Sequence, residues 1–189
     1  MRRLIVGLSG ASGSIYGIRL LDVLRSVKGV ATHLILSNGA RRTIELETDY
    51  TVGDVEGLAD VVHAPGNLAA PVSSGSFKTA GMVVAPCAMK TLSGIVNSYS
   101  DNLVQRAADV VLKERRTLVL VPRETPLHLG HARLFVKAME MGAVVMPPVP
   151  AFYQRPQTIN DIVDQTVGRI LDLFDIESEG APVRRWAGA

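Results

Sequence analysis

The chain has 189 residues, 47% of them hydrophobic and 20% charged, which is the composition of an ordinary globular domain and excludes a disordered chain. Its net charge of +2 is too small to indicate a nucleic acid or a membrane as a partner, and no apolar run reaches the roughly 18 residues that a membrane span needs. The single cysteine, Cys87, has no partner for an internal disulfide, which predicts a reducing, cytoplasmic location.

In chain order, apolar runs that predict strands alternate with amphipathic patterns that predict helices. Strands are expected at residues 4–8, 32–36, 82–85, 118–121 and 143–146, and helices at 15–27, 41–46, 102–113, 134–141 and 159–173. This alternation predicts right-handed βαβ units, and therefore helices on both faces of a mainly parallel sheet. We expect one domain over residues 1–176 and a C-terminal tail over 177–189, which carries the single tryptophan. The long connection 49–79 has weak helix and strand signals around Val61, followed by a stretch rich in glycine, serine and proline. A connection of this length is typical of a functional cover or an interface element.

The first predicted strand ends in small residues, Gly10-Ala11-Ser12-Gly13, and an amphipathic pattern follows from Ile15. Small residues allow backbone N–H groups to approach a ligand closely, and the helix dipole favours an anion at an open helix N-terminus. The segment therefore predicts a phosphate-bearing ligand, although its spacing differs from the G-x-G-x-x-G fingerprint and no P-loop lysine follows. The alternative is a tight turn in which Ser12 or Ser14 caps the helix.

All five predicted strands end in small, polar or charged residues rather than in a simple apolar turn. Since ligands of parallel sheets bind beyond the carboxyl ends of the strands, we expect one crevice lined by all of these ends. The segments concerned are Gly10–Ser12, Ser37-Asn38, Pro86–Thr91, Pro122–Pro126 and Pro147–Tyr153.

Six cationic residues are candidates for binding an anion, namely Arg106, Lys113, Arg115, Arg116, Arg123 and Arg169. Arg106 and Lys113 are seven residues apart in one predicted helix and so share a face, which is consistent with either a site or a solvated surface. Arg123 directly follows a buried strand and a proline, where we expect it to face the crevice, and a guanidinium suits a phosphate.

Four further residues could carry chemistry, and each has a plainer alternative. Glu47 is either an exposed helix end or an acid/base group turned into the crevice, and Glu124 is either an ion-pair partner of Arg123 or an orienting group. Tyr153 could donate its hydroxyl to an anion or simply close a corner. Cys87 is expected to be a buried, inert thiol.

The chain resembles the UbiX/Pad1 family of flavin prenyltransferases over nearly its whole length, with the family's motifs in order. The most specific of them is Lys-Glu-Arg-Arg followed closely by Leu-Val-Leu-Val-Pro-Arg-Glu. The matching segments are 10–17, Glu47–Asp49, Ser74–Ser76, Pro86–Thr91, Arg106–Val110, Lys113–Arg116, Val121–His128, Pro150–Tyr153 and Arg185-Trp186.

The resemblance implies a flavodoxin-like Rossmann fold, a three-layer α/β/α domain that assembles as a homododecamer of trimers. It implies an enzyme that transfers a dimethylallyl group from dimethylallyl phosphate to reduced FMN without a metal. The product, prenylated FMN, would serve a UbiD-type decarboxylase.

The resemblance also implies roles for individual residues. Glu47 and Ser12 would move protons, and the prenyl phosphate would be bound by Tyr153 and Arg169, with Lys113, Arg106 and Glu124 nearby. One departure is Ala88, where many members have serine, so a side-chain hydroxyl is missing while backbone contacts remain. The FMN contacts implied are Gly10, Ala11, Ser12, Ser37, Ala88, Met89, Lys90, Thr91 and Arg123.

Two other functions are compatible with the turn Pro86–Thr91. One is an FMN-dependent decarboxylase of a cysteine-type substrate on the same fold, which would use a catalytic histidine and a substrate-clamping loop. The other is a non-catalytic subunit that carries flavin to a decarboxylase.

Overall fold

The computed structural model describes residues 1–178. Within this range the chain forms six strands, seven α-helices and two short 3-10 turns at Pro71–Ser73 and Phe152–Gln154. None of these helices has the length and apolar character needed to cross a membrane. The elements are β1 (Arg2–Leu8), α1 (Ser14–Arg25), β2 (Val30–Leu36), α2 (Asn38–Glu47), α3 (Val52–Glu56), β3 (Val61–His63), β4 (Gly81–Cys87), α4 (Met89–Val96), α5 (Leu103–Lys113), β5 (Thr117–Pro122), α6 (Leu129–Glu140), β6 (Val144–Val145) and α7 (Ile159–Asp172).

The six strands form one sheet in the order β3-β2-β1-β4-β5-β6, and every neighbouring pair is parallel. Leu4 of β1 lies between Thr32 of β2 and Gly81 of β4. The chain order reverses between β1 and β4, which is the switch point where such sheets bind ligands. Without the three-residue β3, the order is that of flavodoxin, so the predicted α/β class is confirmed.

Both faces of the sheet are buried, because side chains alternate along each strand. Leu4, Val6 and Leu8 of β1 pack on one face against α1, α2 and α7. Ile5 points to the other face, which α4, α5 and the segment around Val72 cover. The result is the predicted arrangement of three layers, α/β/α.

The structure differs from the predicted elements mainly in the connections. Helix α4 begins in the segment Pro86–Thr91, which was predicted only as a strand end. The long connection 49–79 contains α3 and β3, where the sequence had only weak helix and strand signals. Helix α6 begins at Leu129, five residues before the predicted start, and α2 begins at Asn38, where the Ser37 hydroxyl caps it by accepting from the N–H of Ala40. The predicted tail residues Arg185 and Trp186 lie outside the described residues.

Candidate functional site

A crevice of about 430 Å³ opens at the carboxyl ends of β1 and β4, at the switch point of the sheet. Five of the nine residues that the resemblance assigned to FMN line it, namely Gly10, Ser37, Ala88, Lys90 and Thr91. The remaining lining residues are Asn38, Gly39, Pro65, Gly66, Asp101, Asn102 and Gln105.

Fewer strand ends form this crevice than the sequence predicted. It is formed by the ends of β1, β2 and β4, the loop after β3 and the start of α5, whereas the segments after β5 and β6 do not line it. Ala11, Ser12 and Met89 adjoin lining residues in the chain, but Arg123 is exposed beyond the end of β5. Pro65 and Gly66 belong to the connection 49–79 that was expected to be a functional cover or an interface element, and the pairing of β3 with β2 brings them to this edge.

Ser9 fixes the two strand ends that frame the crevice, a role that sequence reasoning missed. Its fully buried hydroxyl donates to the carbonyl of Pro86 at 3.0 Å and accepts from the N–H of Ala88 at 2.7 Å. The backbone N–H of Ser9 donates to the same carbonyl at 3.1 Å. One side chain thus satisfies buried polar groups of both strands and sets their separation.

Gly10 and Gly39 meet backbone to backbone on the wall of the crevice. A Cβ on Gly10 would lie 2.9 Å from the Cα of Gly39, and a Cβ on Gly39 would lie 3.0 Å from the Cα of Gly10. Both positions therefore require glycine for packing alone, and the contact leaves a wall without side chains against which a flat ligand can lie.

Glu47 lies at the N-terminus of α1, which corrects the expectation that this helix end is open. Its Oε2 accepts from the N–H of Gly13 at 2.8 Å and from the N–H of Ser14 at 3.4 Å. Gly13 is the N-cap with φ of 99° and supplies no side-chain cap, and neither Ser12 nor Ser14 caps the helix. A carboxylate from the end of α2 therefore performs the capping and complements the helix dipole.

Helices α2, α4 and α5 begin at the crevice, and of these only α4 has no side-chain cap at its N-terminus. Its N-cap residue is Ala88, which has no hydroxyl or amide to offer, whereas Ser37 caps α2 and Asn102 caps α5. Lys90, in the first turn of α4, lies 4.0 Å from Asp101 across the mouth. Backbone N–H groups and a lysine at a helix N-terminus are the groups that bind an anion, so α4, rather than α1, offers the anion site here.

Arg106 lies on α5, one residue beyond the crevice residue Gln105. Its guanidinium pairs with Asp109 one turn later at 2.9 Å. Within one chain, Arg106 is thus the cationic candidate on α5 nearest to the crevice, and its position is held by its own helix.

Lys113 and Arg169 lie at the opposite, amino edge of the sheet. Lys113 ends α5 beside Glu114 and lines a second crevice of about 630 Å³ together with Thr117, the first residue of β5. Arg169 lies in the last turn of α7 and pairs with Asp172 at 2.7 Å. The chain that follows α7 reaches the start of β1.

Tyr153 and Glu124 lie in the segments that follow β6 and β5. Tyr153 belongs to the second 3-10 turn and its side chain is 60% exposed. Glu124 is exposed and accepts from the N–H of Thr125 at 3.1 Å. Neither residue contributes to the crevice of its own chain.

Cys87 is inert, as predicted. The thiol is fully buried at the end of β4, and burial raises its pKa to about 12. Because the thiolate is the nucleophilic form, this residue cannot supply a nucleophile near neutral pH.

A buried pair of histidines, His33 of β2 and His63 of β3, lies on neighbouring strands, and β3 precedes the loop that carries Pro65 and Gly66. His33 Nδ1 lies 3.0 Å from His63 Nε2, and the two rings are stacked. Burial lowers the pKa of both imidazoles from the ordinary value, and for His33 the neighbouring His63 and Arg3 lower it further while Asp60 raises it. The pair is therefore neutral in the folded protein near pH 7.

Comparison with known proteins places this chain in a family. The Flavoprotein family model matches residues 1–171. Flavin prenyltransferase UbiX of Escherichia coli K12 is 61% identical over the full length of both chains. AnUbiX (PadA1), solved in complex with FMN and dimethylallyl pyrophosphate, is 50% identical with a TM-score of 0.95, covering 100% of this chain and 98% of that one. A dodecameric FMN-dependent UbiX-like decarboxylase of E. coli O157:H7 is 53% identical with a TM-score of 0.95, covering 98% of this chain and all of its own. The chain belongs to the Flavoprotein family and, within it, to the UbiX flavin prenyltransferases.

Proposed function

We propose that this protein is a flavin prenyltransferase that transfers a dimethylallyl group from dimethylallyl phosphate to reduced FMN. The observation that carries the proposal is a ligand-sized crevice at the switch point, in a chain 61% identical to a flavin prenyltransferase over its whole length. The relative solved with FMN and dimethylallyl pyrophosphate supports both ligands.

The crevice fits a flavin mononucleotide in size and chemistry. Its volume of about 430 Å³ lies in the range of small-molecule sites, and the Gly10–Gly39 contact leaves a flat wall. The uncapped start of α4 and Lys90 offer an anion site for the FMN phosphate, to which Arg123 would add a guanidinium. Ala88 needs no hydroxyl for this purpose, because the donors would be the backbone N–H groups of Met89 and Lys90 in the first turn of α4, while its own N–H donates to Ser9.

The chain's own residues would stabilise the leaving phosphate and move the protons. Reduced FMN supplies the nucleophilic N5 and C6 atoms that take up the prenyl group. Lys113 and Arg169, with Tyr153, would bind the donor phosphate and stabilise the charge that develops as it departs, so that no metal ion is needed. Glu47, and Ser12 in the turn between β1 and α1, would accept and return the proton at the flavin and the phosphate.

These roles require more than one subunit. Lys113 lies about 12 Å along α5 from the crevice residue Gln105, and Arg169 also lies at the amino edge. We infer that the donor-binding residues of one subunit complete the crevice of another in a homo-oligomer, and that the oligomer is a dodecamer, as in the UbiX-like relative.

The surface of the chain supports such an assembly. Of the 12 residues of α6 only Ala138 is buried, and the helix exposes Leu129, Val136 and Met139. Phe152 and Ile159 are exposed in the following segments. Large exposed apolar side chains in neighbouring elements are typical of subunit interfaces. Light scattering that gives the mass of a single chain would contradict the oligomer.

The transfer is tested by incubating the protein with FMN, dithionite and dimethylallyl phosphate and measuring the flavin by mass spectrometry. We expect a flavin heavier by one prenyl unit. Unchanged FMN would contradict the proposal. Unchanged flavin with loss of carbon dioxide from a C-terminal cysteine peptide would instead indicate a cysteine-type decarboxylase, and unchanged flavin without decarboxylation would indicate a carrier subunit. A parallel reaction with dimethylallyl diphosphate measures which donor is preferred.

We further propose that the product passes to a UbiD-type decarboxylase in the cytoplasm. The UbiX kinship supports the partner, and the free thiol of Cys87 fits a reducing compartment. Activation of an apo-decarboxylase by the reaction mixture, and not by FMN alone, would test the partner.

A further inference from the structure

Arg116 holds the backbone of the segment 75–77 at the amino edge of the sheet. One guanidinium nitrogen donates to the carbonyl of Gly75 at 2.7 Å and another donates to the carbonyl of Phe77 at 2.8 Å. The side chain is only 17% exposed, so these are shielded hydrogen bonds to a charged group. Such bonds are among the stronger ones that side chains make with backbone, and here they fix a turn that has no regular secondary structure.

The pair formed by Lys113 and Glu114 lies against Gly75 of this segment. A Cβ added to Gly75 would lie 2.7 Å from Lys113 Nζ and would also collide with the Glu114 carboxylate. The hydrogen bond from Lys113 lowers the pKa of Glu114, so this side chain is a carboxylate near neutral pH. The backbone at Gly75 is thus the surface that decides where the Lys113 ammonium lies.

We propose that Arg116 is a positioning residue for the prenyl transfer, which holds segment 75–77 so that Gly75 sets the place of the Lys113 ammonium. This inference rests on the proposed function, in which Lys113 binds the phosphate of the prenyl donor. Arg116 itself touches backbone carbonyls and Glu114, and its action on the substrate is through Lys113.

The chemistry requires an arginine at this position. A guanidinium presents several N–H groups in one plane and so reaches two carbonyls at once. A lysine keeps the charge but is a single point donor, so Arg116→Lys would lose one of the two contacts. The freed segment would then no longer hold the Lys113–Glu114 pair in one place.

The test compares Arg116→Lys with Arg115→Lys in the assembled protein. Arg115 is the exposed neighbour and undergoes the same chemical change without a contact to segment 75–77. For Arg116→Lys we expect the KM for dimethylallyl phosphate to rise about tenfold, as for the loss of one charge-assisted hydrogen bond. The kcat and the Kd for FMN should stay near those of wild type, and the melting temperature should fall by a few degrees because one shielded hydrogen bond is lost. Arg115→Lys should match wild type throughout.

A second variant, Gly75→Ala, displaces the Lys113 ammonium directly, without a change at Arg116. The added methyl displaces the ends of two flexible side chains while the carbonyls bound by Arg116 stay in place, so we expect a raised KM for dimethylallyl phosphate without a loss of stability. An unchanged KM for dimethylallyl phosphate in Gly75→Ala would overturn the inference, and so would a KM in Arg116→Lys equal to that in Arg115→Lys. In either case, prenyl transfer by the wild-type protein would still support the proposed function. If Arg116→Lys does not fold, Gly75→Ala alone decides. A wild-type protein without transfer activity would overturn both.

Discussion

Replacing Glu47 with glutamine separates its structural role from a catalytic one. In the structure its carboxylate caps α1 by accepting from the N–H groups of Gly13 and Ser14. Glu47→Gln keeps an oxygen acceptor of the same length and loses only the charge, which complements the helix dipole by about 0.3–1 kcal/mol. Glu47→Ala also removes the cap, which costs about 0.5–2 kcal/mol more. In a chain of this size, the glutamine variant should therefore melt only about 1–4 °C below wild type.

The predicted effect of Glu47→Gln on turnover is much larger than its effect on stability. A positioned acid/base group contributes roughly 10²- to 10⁴-fold, so Glu47→Gln should lower the rate of prenyl transfer by at least about a hundredfold while FMN binding persists. The assay is the rate of prenylated FMN formation at saturating donor, alongside FMN titration and thermal melting at equal protein concentration. Wild-type turnover by a correctly folded Glu47→Gln would refute the reasoning, since Glu47 would then be a helix cap and nothing more.

Three further predictions concern other parts of the molecule. Arg169→Ala should raise the KM for dimethylallyl phosphate roughly ten- to a hundredfold with little change in FMN affinity, and a collapse of FMN binding at constant KM would show that the two phosphate sites had been exchanged. Ser9→Ala leaves the N–H of Ala88 without its acceptor and should cost about 1–3 kcal/mol of unfolding free energy, measured by chemical denaturation, whereas an unchanged midpoint would contradict the tie between the strand ends. Burial lowers the pKa of His33 and His63 below the ordinary 6.5, so on acidification the unfolded chain binds protons before the folded one does. The stability that the neutral pair contributes is therefore complete above pH 6.5 and declines as the pH falls from 6.5 towards the folded pKa. Melts between pH 7.5 and 5 should show this decline, and His63→Gln should lessen it.

The strands of the sheet centre were predictable because parallel strands covered on both faces are continuous apolar runs. The run predicted at 4–8 is β1, and that at 118–121 lies within β5. Edge strand β3 is half exposed at Val61 and Val62, so it has no such run. Helix α4 was missed because its first residues, Met89–Thr91, were predicted as the polar end of β4, and its eight residues form only about two turns, too few for a clear helical period.

The site was predictable where its groups are local in the chain and unpredictable where they are brought together by the fold. The small residues around Gly10 and Ala88 indicated a turn that admits a ligand, and both line the crevice. The contact of Glu47 with Gly13 joins residues 34 apart, and that of Ser9 with Ala88 joins residues 79 apart. No spacing rule connects such pairs, since their proximity follows from strand order rather than from helical or strand periodicity.

The proposed flavin site and the cationic residues Lys113 and Arg169 lie at opposite edges of the sheet, and this separation has a physical reason. Parallel βαβ units direct helix N-termini to the carboxyl edge, where the positive ends of the dipoles and free N–H groups suit an anionic ligand and would oppose a cluster of cations. The same units direct helix C-termini to the amino edge, where cationic side chains are stabilised, and Lys113 and Arg169 indeed occupy the last turns of α5 and α7. A chain of this fold can thus hold a flavin at one edge and gather the cations for a leaving phosphate at the other without cost to either set of helices. Only a neighbouring copy can then bring the two sets to one reaction, which is why assembly and catalysis are coupled in the proposed mechanism.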